Sequence, residues 1–342
     1  MRGLYRPGKR VVYLDQNFVS NIAKAGAKPA LEQYSELFDC LLALLEADDI
    51  ACPTSQFHHR ETLYSRDERL RDAIREVILR LSSGLGFRQY DDILEIQAVK
   101  ALHDHLGKDW RGTEPGWDEA FQGDPDAPAK ARRFERPTWY TEAPSPLFEL
   151  GEQAKYSYPK EARRIAKEWQ RSFDKRLEYE IEAFIRMFFL DPLYRTLTEA
   201  SRLLVGLPSD PFELLPDFSY RVYSAYNELS QSHEREGYFQ FLLSQEFRAI
   251  PFVHIFCSLH AAMITTASKP EAGDYDDVMM LATILPYADI VATDHAKKVL
   301  VQSVGLDKQY EVTLFSAKQD DVAALLSFVQ NLRPGSVATV NG

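Results

Sequence analysis

The chain has 342 residues, of which 45% are hydrophobic and 27% charged, and its formal net charge at pH 7 is −11. A chain of this length and composition can bury a sizeable core, as one large globular domain or as two. The negative balance excludes a protein coated in basic surface, although a local basic stripe would still allow contact with nucleic-acid phosphates.

The cysteines and the apolar segments bear on the cellular compartment. Cys40, Cys52 and Cys257 lie far apart, with neither disulfide-like nor metal-binding spacing, which favours small apolar side chains in a reducing compartment. The basic N-terminus is not followed by the apolar core of a signal peptide. The longest mostly apolar stretch, residues 252–266, is too short to span a bilayer. The prediction is a cytoplasmic protein with no membrane partner.

The N-terminal segment predicts a strand followed by two helices. Residues 11–14 form a short apolar strand that ends at Asp15, and a helix starts at Asn17. Apolar residues at helical spacing predict an amphipathic helix over 31–48.

A second strand and helix follow. The apolar strand that starts at Ile50 ends before Pro53, and two hydroxyl residues behind the proline can cap a helix. Glu61 then lies about two turns into that helix. A further amphipathic helix is predicted over 66–82.

The middle of the chain differs in amino-acid composition. Residues 84–150 are rich in Gly, Pro and Trp and are predicted to form a long irregular excursion. The segments 160–205 and 222–247 have helical patterns. The expectation is that a mostly helical insertion, residues 84–249, splits an α/β core.

A basic stripe lies within the predicted insertion. Residues 155–176 contain eight Lys or Arg and three acids. Every fourth residue is basic along one helical face, which comprises Arg163, Lys167, Arg171 and Lys175. Such a stripe is either a solvated helix face or a track for a nucleic-acid backbone.

The core resumes near residue 250 with alternating helices and strands. An apolar helix over 252–266 is followed by a short helix that stops at Pro286, a strand over 289–293 and a strand over 311–315. A closing helix covers 317–332. This alternation predicts a parallel sheet, so that residues 1–83 and 250–342 would together form the α/β core.

Acidic residues gather around the predicted strand ends. Residues 271–294 read EAGDYDDVMMLATILPYADIVATD and carry Asp274, Asp276, Asp277 and Asp294. Crowded carboxylates raise one another's pKa unless a cation neutralises them. Asp15, like Asp294, directly follows a candidate strand, at the sheet edge where open α/β folds build their sites. A metal ion or a proton transfer would account for such a cluster.

The order of these acids resembles that of the PIN-like nuclease family. The family has an Asp ending the first strand, a Glu on a helix after the second, an Asp opening a later helix and an Asp after the next strand. The matching residues are Asp15, Glu61, Asp277 and Asp294, over roughly residues 10–80 and 250–335. The adjacent Thr293 departs from the family, which often has Thr two positions before the last Asp.

The resemblance implies a PIN-like parallel sheet core flanked by helices, with carboxylates that bind Mg²⁺ or Mn²⁺ and hydrolyse phosphodiesters. Asp15 and Asp294 would be inner metal ligands, and Glu61 would complete the site. The third ligand stays open between Asp277, Asp276 and Asp274. Single-stranded RNA is the substrate class that the family implies, with DNA as the less common case.

Other readings of the same residues stay open. Asp15 and Asp274 could simply cap the helices that follow them, and Glu61 could be an ordinary exposed side chain. A haloacid-dehalogenase-like phosphatase would need a second Asp at position 17, where this chain has Asn17. A degenerate nuclease scaffold could instead act as a binding module. The chain could also form a homo-oligomer or bind a regulatory protein.

Overall fold

The computed structural model describes residues 4–5, 7–64, 67–109, 116–131, 173–190, 217–231, 235–266 and 272–332. Three members of the predicted basic stripe, Arg163, Lys167 and Arg171, lie outside these ranges. Lys175 lies inside them.

The N-terminal elements follow the predicted order of strands and helices. In chain order they are β1 (Arg10–Leu14), α1 (Gln16–Ala25), α2 (Glu32–Glu46), β2 (Ile50–Ala51), α3 (Gln56–Tyr64), α4 (Glu68–Ser82), β3 (Gly86–Phe87), α5 (Tyr90–His105) and β4 (Phe121–Gln122). Short 3₁₀ turns cover Pro29–Leu31, Trp117–Glu119 and Ala129–Ala131.

From residue 173 onward the described elements are mainly helical until the last two strands. They are α6 (Phe173–Ile185), α7 (Asp217–Ser230), α8 (Arg235–Leu242), α9 (Gln245–Arg248), α10 (Pro251–Thr265), α11 (Ala272–Ile284), β5 (Ile290–Thr293), α12 (His295–Ser303), α13 (Leu306–Gln309), β6 (Thr313–Ser316) and α14 (Gln319–Asn331). A π-helical turn, Arg186–Leu190, follows α6.

The chain divides into two compact units. The described part of the first unit falls within residues 1–88, 114–142 and 284–342, and that of the second within 89–113 and 143–283. The first unit holds β1 to β6 with α1 to α4 and α12 to α14. The second holds α5 to α10 and nearly all of α11.

The main sheet of the first unit is parallel, with four strands in the order β2-β1-β5-β6. Register pairs Val12 with Ile290 and Leu14 with Ala292, so β1 and β5 end side by side. Helices flank this sheet, and the fold is therefore α/β, as predicted.

Both faces of β1 are covered, as a parallel sheet requires. Val12 and Leu14 lie in the apolar core that the sheet shares with α1, α2, α4 and α14. On the opposite face Tyr13 stacks on His58, with ring centroids 4.9 Å apart, and meets the edge of Phe87. Phe87 belongs to the antiparallel pair of β3 and β4, and its N–H donates to the Thr54 carbonyl oxygen at 2.8 Å.

The two units divide the chain differently from the predicted core and insertion. The second unit starts at residue 89 instead of 84. The described residues among 114–142, within the predicted insertion, belong to the first unit, and the chain makes its last return to that unit at 284 instead of 250. The physical reason is aromatic packing within the second unit, where Phe184 of α6 meets Phe252 and Phe256 of α10.

The predicted irregular excursion over 84–150 contains regular structure where it is described. Residues 90–105 form the helix α5, and residues 86–87 pair with 121–122. The prediction of an irregular segment was therefore wrong for these residues.

All three cysteines are buried, and none of them forms a disulfide. This confirms their predicted role as small apolar side chains.

Candidate active site

The carboxyl ends of β1 and β5 form the centre of the candidate site. The chain leaves β1 toward β2 on one side, and later leaves β5 toward β6 on the other. In open α/β sheets ligands bind outside the carboxyl ends of the strands at such a reversal of direction. Asp15 directly follows β1, and Asp294 directly follows β5. Both predicted acids thus lie at the point that the topology itself marks.

Asp15 is held through both its backbone and its carboxylate. Its backbone N–H donates to the Ala292 carbonyl oxygen at 2.8 Å, which extends the pairing of the two strands. Its Oδ1 accepts from the Asn17 N–H at 2.6 Å, and its Oδ2 accepts from the Thr293 hydroxyl at 2.9 Å. The residue is only 5% exposed. Asp15 therefore caps α1, as the alternative interpretation of this residue predicted, and it also contacts the end of β5.

Asp294 is less buried and is held by its own helix. Its Oδ1 accepts from the Lys297 N–H at 2.9 Å, which caps α12, and its Oδ2 lies 3.8 Å from the Lys297 ammonium. The Asp294 side chain is 32% exposed. It is therefore fixed in place and still partly open to solvent.

Thr293 links the two acids, because it bonds to Asp15 and directly precedes Asp294. We expect Thr293→Val, which removes this buried hydroxyl, to lower the free energy of unfolding by about 2 kcal/mol, since hydrogen bonds to charged groups contribute that much. Thr283→Val is the matched control, because that buried hydroxyl donates to the neutral Met279 carbonyl oxygen at 2.8 Å. Urea unfolding of both variants measures the difference. Equal losses would mean that the Asp15 bond carries no extra stability.

His58 positions α3 against the end of β1. Its Nε2 donates to the Leu14 carbonyl oxygen at 2.6 Å. Its Nδ1 accepts from the Ser55 N–H at 3.2 Å and lies 3.3 Å from the Thr54 hydroxyl oxygen. This network assigns the neutral tautomer with the proton on Nε2. Burial lowers the His58 pKa from 6.5 to about 4, although the bond to Leu14 acts in the opposite direction.

His58 is a buried structural residue of this sheet edge. His58 is 4% exposed and ties the residue before Asp15 to the loop after β2. The Thr-Ser pair before the helix was the available signal, because a histidine three residues after a cap can accept from the cap's own N–H.

Glu61 lies on α3 near the same edge. Thr62, its neighbour, accepts from the Gln16 amide at 3.0 Å, so this part of α3 faces the start of α1. Glu61 itself is exposed. The approach of the Glu61 carboxylate to Asp15 and Asp294 stays a prediction.

The carboxyl end of β6, at the same edge of the sheet, carries polar side chains that the sequence did not predict for the site. Ser316 ends β6 and pairs in register with Thr293. Asp321 Oδ2 accepts from the Ser316 N–H at 3.0 Å and from the Lys298 ammonium at 2.8 Å. Burial acts to raise the Asp321 pKa, but the bonds from Lys298 and Ser316 outweigh it and lower that pKa. An acid in the first turn of α14 was not distinguishable by pattern from an ordinary helix-start residue.

The three acids of the DYDD stretch belong to the second unit. Asp274, Asp276 and Asp277 are partly exposed on α11. Because α11 begins at Ala272, Asp274 lies within the first turn, and the reading of Asp274 as the residue that precedes and caps the helix was wrong. The placement of these acids relative to Asp15 and Asp294 stays a prediction.

Within the second unit, Asp274 acts on a buried histidine. Burial and, less strongly, the nearby Arg176 lower the His260 pKa to about 3, while Asp274 acts in the opposite direction. Asp274 thus has an electrostatic role inside its own unit.

The described end of the basic stripe is split between surface and core. Lys175 is exposed on α6. Arg176 is 2% exposed, pairs with Glu180 and lies over the Tyr179 ring. Arg176 therefore does not add to a phosphate track, although it was counted with the basic residues of the segment.

Within the described ranges, no group of three or more His, Cys, Asp or Glu side chains is placed to hold one metal ion. The donors at the β1 and β5 ends are carboxylate oxygens. Mg²⁺ is commonly held by one or two carboxylates, with waters and substrate phosphates completing its octahedral shell. The pair Asp15 and Asp294 fits that chemistry better than it fits Zn²⁺, which prefers His and Cys.

Comparison with family models, with curated proteins and with solved structures gives no match for this chain. In the part of the chain that the structure describes, no helix combines the length and apolar character needed to cross a membrane.

Proposed function

We propose that this chain is a metal-dependent nuclease of the PIN-like kind that hydrolyses phosphodiester bonds, with single-stranded RNA as its substrate class. The observation that carries the proposal is the position of Asp15 and Asp294 at the adjacent carboxyl ends of β1 and β5, where the sheet reverses direction. The order of acids along the chain supports the same assignment. The preference for RNA over DNA is supported by this order of acids alone.

The chain's own residues would hold Mg²⁺ or Mn²⁺ through the carboxylates of Asp15 and Asp294. Thr293 and the cap of α1 fix the rotamer of Asp15, so little ordering remains to be done when a ligand arrives. Glu61 would bind metal-bound water from the rim. When bound, the metal ions activate a water and stabilise the leaving oxygen of the phosphodiester.

Other parts of the proposal involve residues that the sequence alone supplies. Asp277, with Asp276 or Asp274 as the alternatives, would complete the metal site. Arg163, Lys167, Arg171 and Lys175 would contact the RNA backbone. Exposed Lys175 is compatible with that role.

We expect labelled single-stranded RNA to be cut internally in the presence of Mn²⁺ or Mg²⁺ and to stay intact in EDTA. Asp294→Asn should lose this activity, because the exposed ligand carboxylate is replaced by a neutral amide. Gel electrophoresis of the products measures the rate. A small phosphomonoester, assayed in parallel, tests the phosphatase alternative. Release of inorganic phosphate from it, without RNA cleavage, would contradict the proposal.

A further inference from the structure

A lysine lies beside the proposed metal ligands. Lys297 is in the first turn of α12, and its side chain is only 9% exposed. Its ammonium is 3.8 Å from Asp294 Oδ2, while its backbone N–H bonds to Asp294 Oδ1 at 2.9 Å. Lysines are almost never fully buried unless they are paired, because the ammonium loses its hydration. Asp294 is one charged partner of this buried ammonium.

We propose that Lys297 is a counter-ion built into the candidate metal site, which neutralises Asp294 in the metal-free chain and competes with Mg²⁺ or Mn²⁺ for it. This inference rests on the proposed function, because it concerns the same carboxylates. It assigns a regulatory role to a residue that the order of acids does not include.

The physical basis is charge balance. Adjacent carboxylates repel each other unless a cation lies among them. An ammonium at 3.8 Å supplies that positive charge without a metal. A divalent cation that approaches Asp294 must then tolerate or displace the ammonium, and either event lowers its affinity. The metal-free edge is therefore stable, and metal binding is weaker than two unopposed carboxylates would give.

The next residue provides a matched control. The Lys298 ammonium lies 2.8 Å from Asp321 Oδ2, and its side chain is 18% exposed. It is of the same residue type in the same helix turn but has a different partner. A change at Lys298 therefore reproduces the loss of one positive charge from α12 without removing the counter-ion of Asp294.

The test is a calorimetric titration of MnCl₂ into the full chain at fixed pH and ionic strength, without nucleic acid. Lys297→Met keeps the apolar stem and removes the charge, so its Kd for Mn²⁺ should be lower by about tenfold. The Kd of Lys298→Met for Mn²⁺ should lie within about twofold of the wild-type Kd, because partly exposed ion pairs contribute little free energy. Lys297→Arg, which keeps the charge, should bind Mn²⁺ as wild type does.

A second readout separates a counter-ion from a merely structural lysine. Without metal, Lys297→Met should melt at a lower temperature than wild type, because Asp294 loses its cation. With saturating Mn²⁺ the melting temperatures should converge, since the metal replaces the missing charge. If Lys297 only packs, Lys297→Met would lower the melting temperature by the same amount with and without Mn²⁺. That result would overturn the inference.

The outcomes also separate this inference from the proposed function. Equal Mn²⁺ affinities for wild type and Lys297→Met would overturn the counter-ion and leave the nuclease proposal standing. Binding to Lys297→Met alone would support the counter-ion. If neither chain binds Mn²⁺ at millimolar concentration, the metal site is absent and both proposals are wrong.

Discussion

Asp15→Asn is expected to lower the rate of RNA cleavage by about a thousandfold while the protein stays folded, because several kcal/mol of transition-state stabilisation depend on the metal ligands. Asn caps a helix as well as Asp does, because its side-chain oxygen can still accept from the Asn17 N–H. Its amide nitrogen can donate to the Thr293 hydroxyl oxygen, which lies where Asp15 Oδ2 now accepts. The substitution therefore removes a charge and leaves the local structure in place. Cleavage of labelled single-stranded RNA in Mn²⁺ measures the rate, and circular dichroism checks the fold.

Asp67→Asn is the matched control for this experiment. Asp67 caps α4 as Asp15 caps α1, and its Oδ1 accepts from the Arg69 and Leu70 N–H groups at 3.0 and 3.2 Å. It lies at an exposed helix start instead of the sheet edge. Its substitution should leave cleavage unchanged. If both variants cleave RNA at the wild-type rate, Asp15 is a helix cap and nothing more.

The second large effect concerns acid stability, and one source of it is His58. Burial lowers the pKa of the folded histidine from 6.5 to about 4. As the pH falls below 6.5 the unfolded chain takes up a proton that folded His58 does not, so unfolding becomes easier until about pH 4. That interval corresponds to a loss of about 3 kcal/mol in the free energy of unfolding. At neutral pH this contribution is fully present.

His58→Gln should remove this part of the acid dependence, because Gln can donate to the Leu14 carbonyl oxygen but does not titrate. Urea unfolding of wild type and variant at a series of pH values between 7.5 and 4 measures the difference. Parallel wild-type and His58→Gln profiles would show that His58 is not the source of the loss.

Much of the first unit could be predicted because its elements have clear patterns. β1, α2 and α4 start and end within two residues of their predicted bounds, since a continuous apolar run defines the strand and apolar residues at helical spacing define the helices. The burial of Asp15 could also be predicted, because an acid directly after an apolar strand must find partners. The order of the strands in the sheet could not be predicted from the sequence, because strand pairing depends on contacts between residues that are distant in sequence.

The parts that sequence reading missed are those that depend on long-range contacts. His58 is defined by a bond to Leu14, which is 44 residues away. The pair of β3 and β4 consists of two residues on each side, too few for a periodic signal. The helix α5 packs Gln97 inward, where its side-chain oxygen accepts from the Phe252 N–H at 2.9 Å. A polar residue at that position weakens the apolar pattern of the helix.

Lys297 shows what a closer reading of periodicity could have found. It lies four residues before Val301, which is fully buried, and so occupies a core-facing position of α12. A lysine on the apolar side of a helix, three residues after a candidate metal ligand, is a signal that the charge has a partner. Burial itself could be established only from the structure.

The most direct test of the central claim is to locate Mn²⁺ in crystals of the full chain by anomalous scattering. The expected result is density about 2.1 Å from carboxylate oxygens of Asp15 and Asp294, from one ion or from two ions about 4 Å apart. Mn²⁺ bound elsewhere, or no bound ion at saturating concentration, with Asp15 held only by its hydrogen bonds and Asp294 by Lys297, would contradict the assignment of a metal-dependent nuclease.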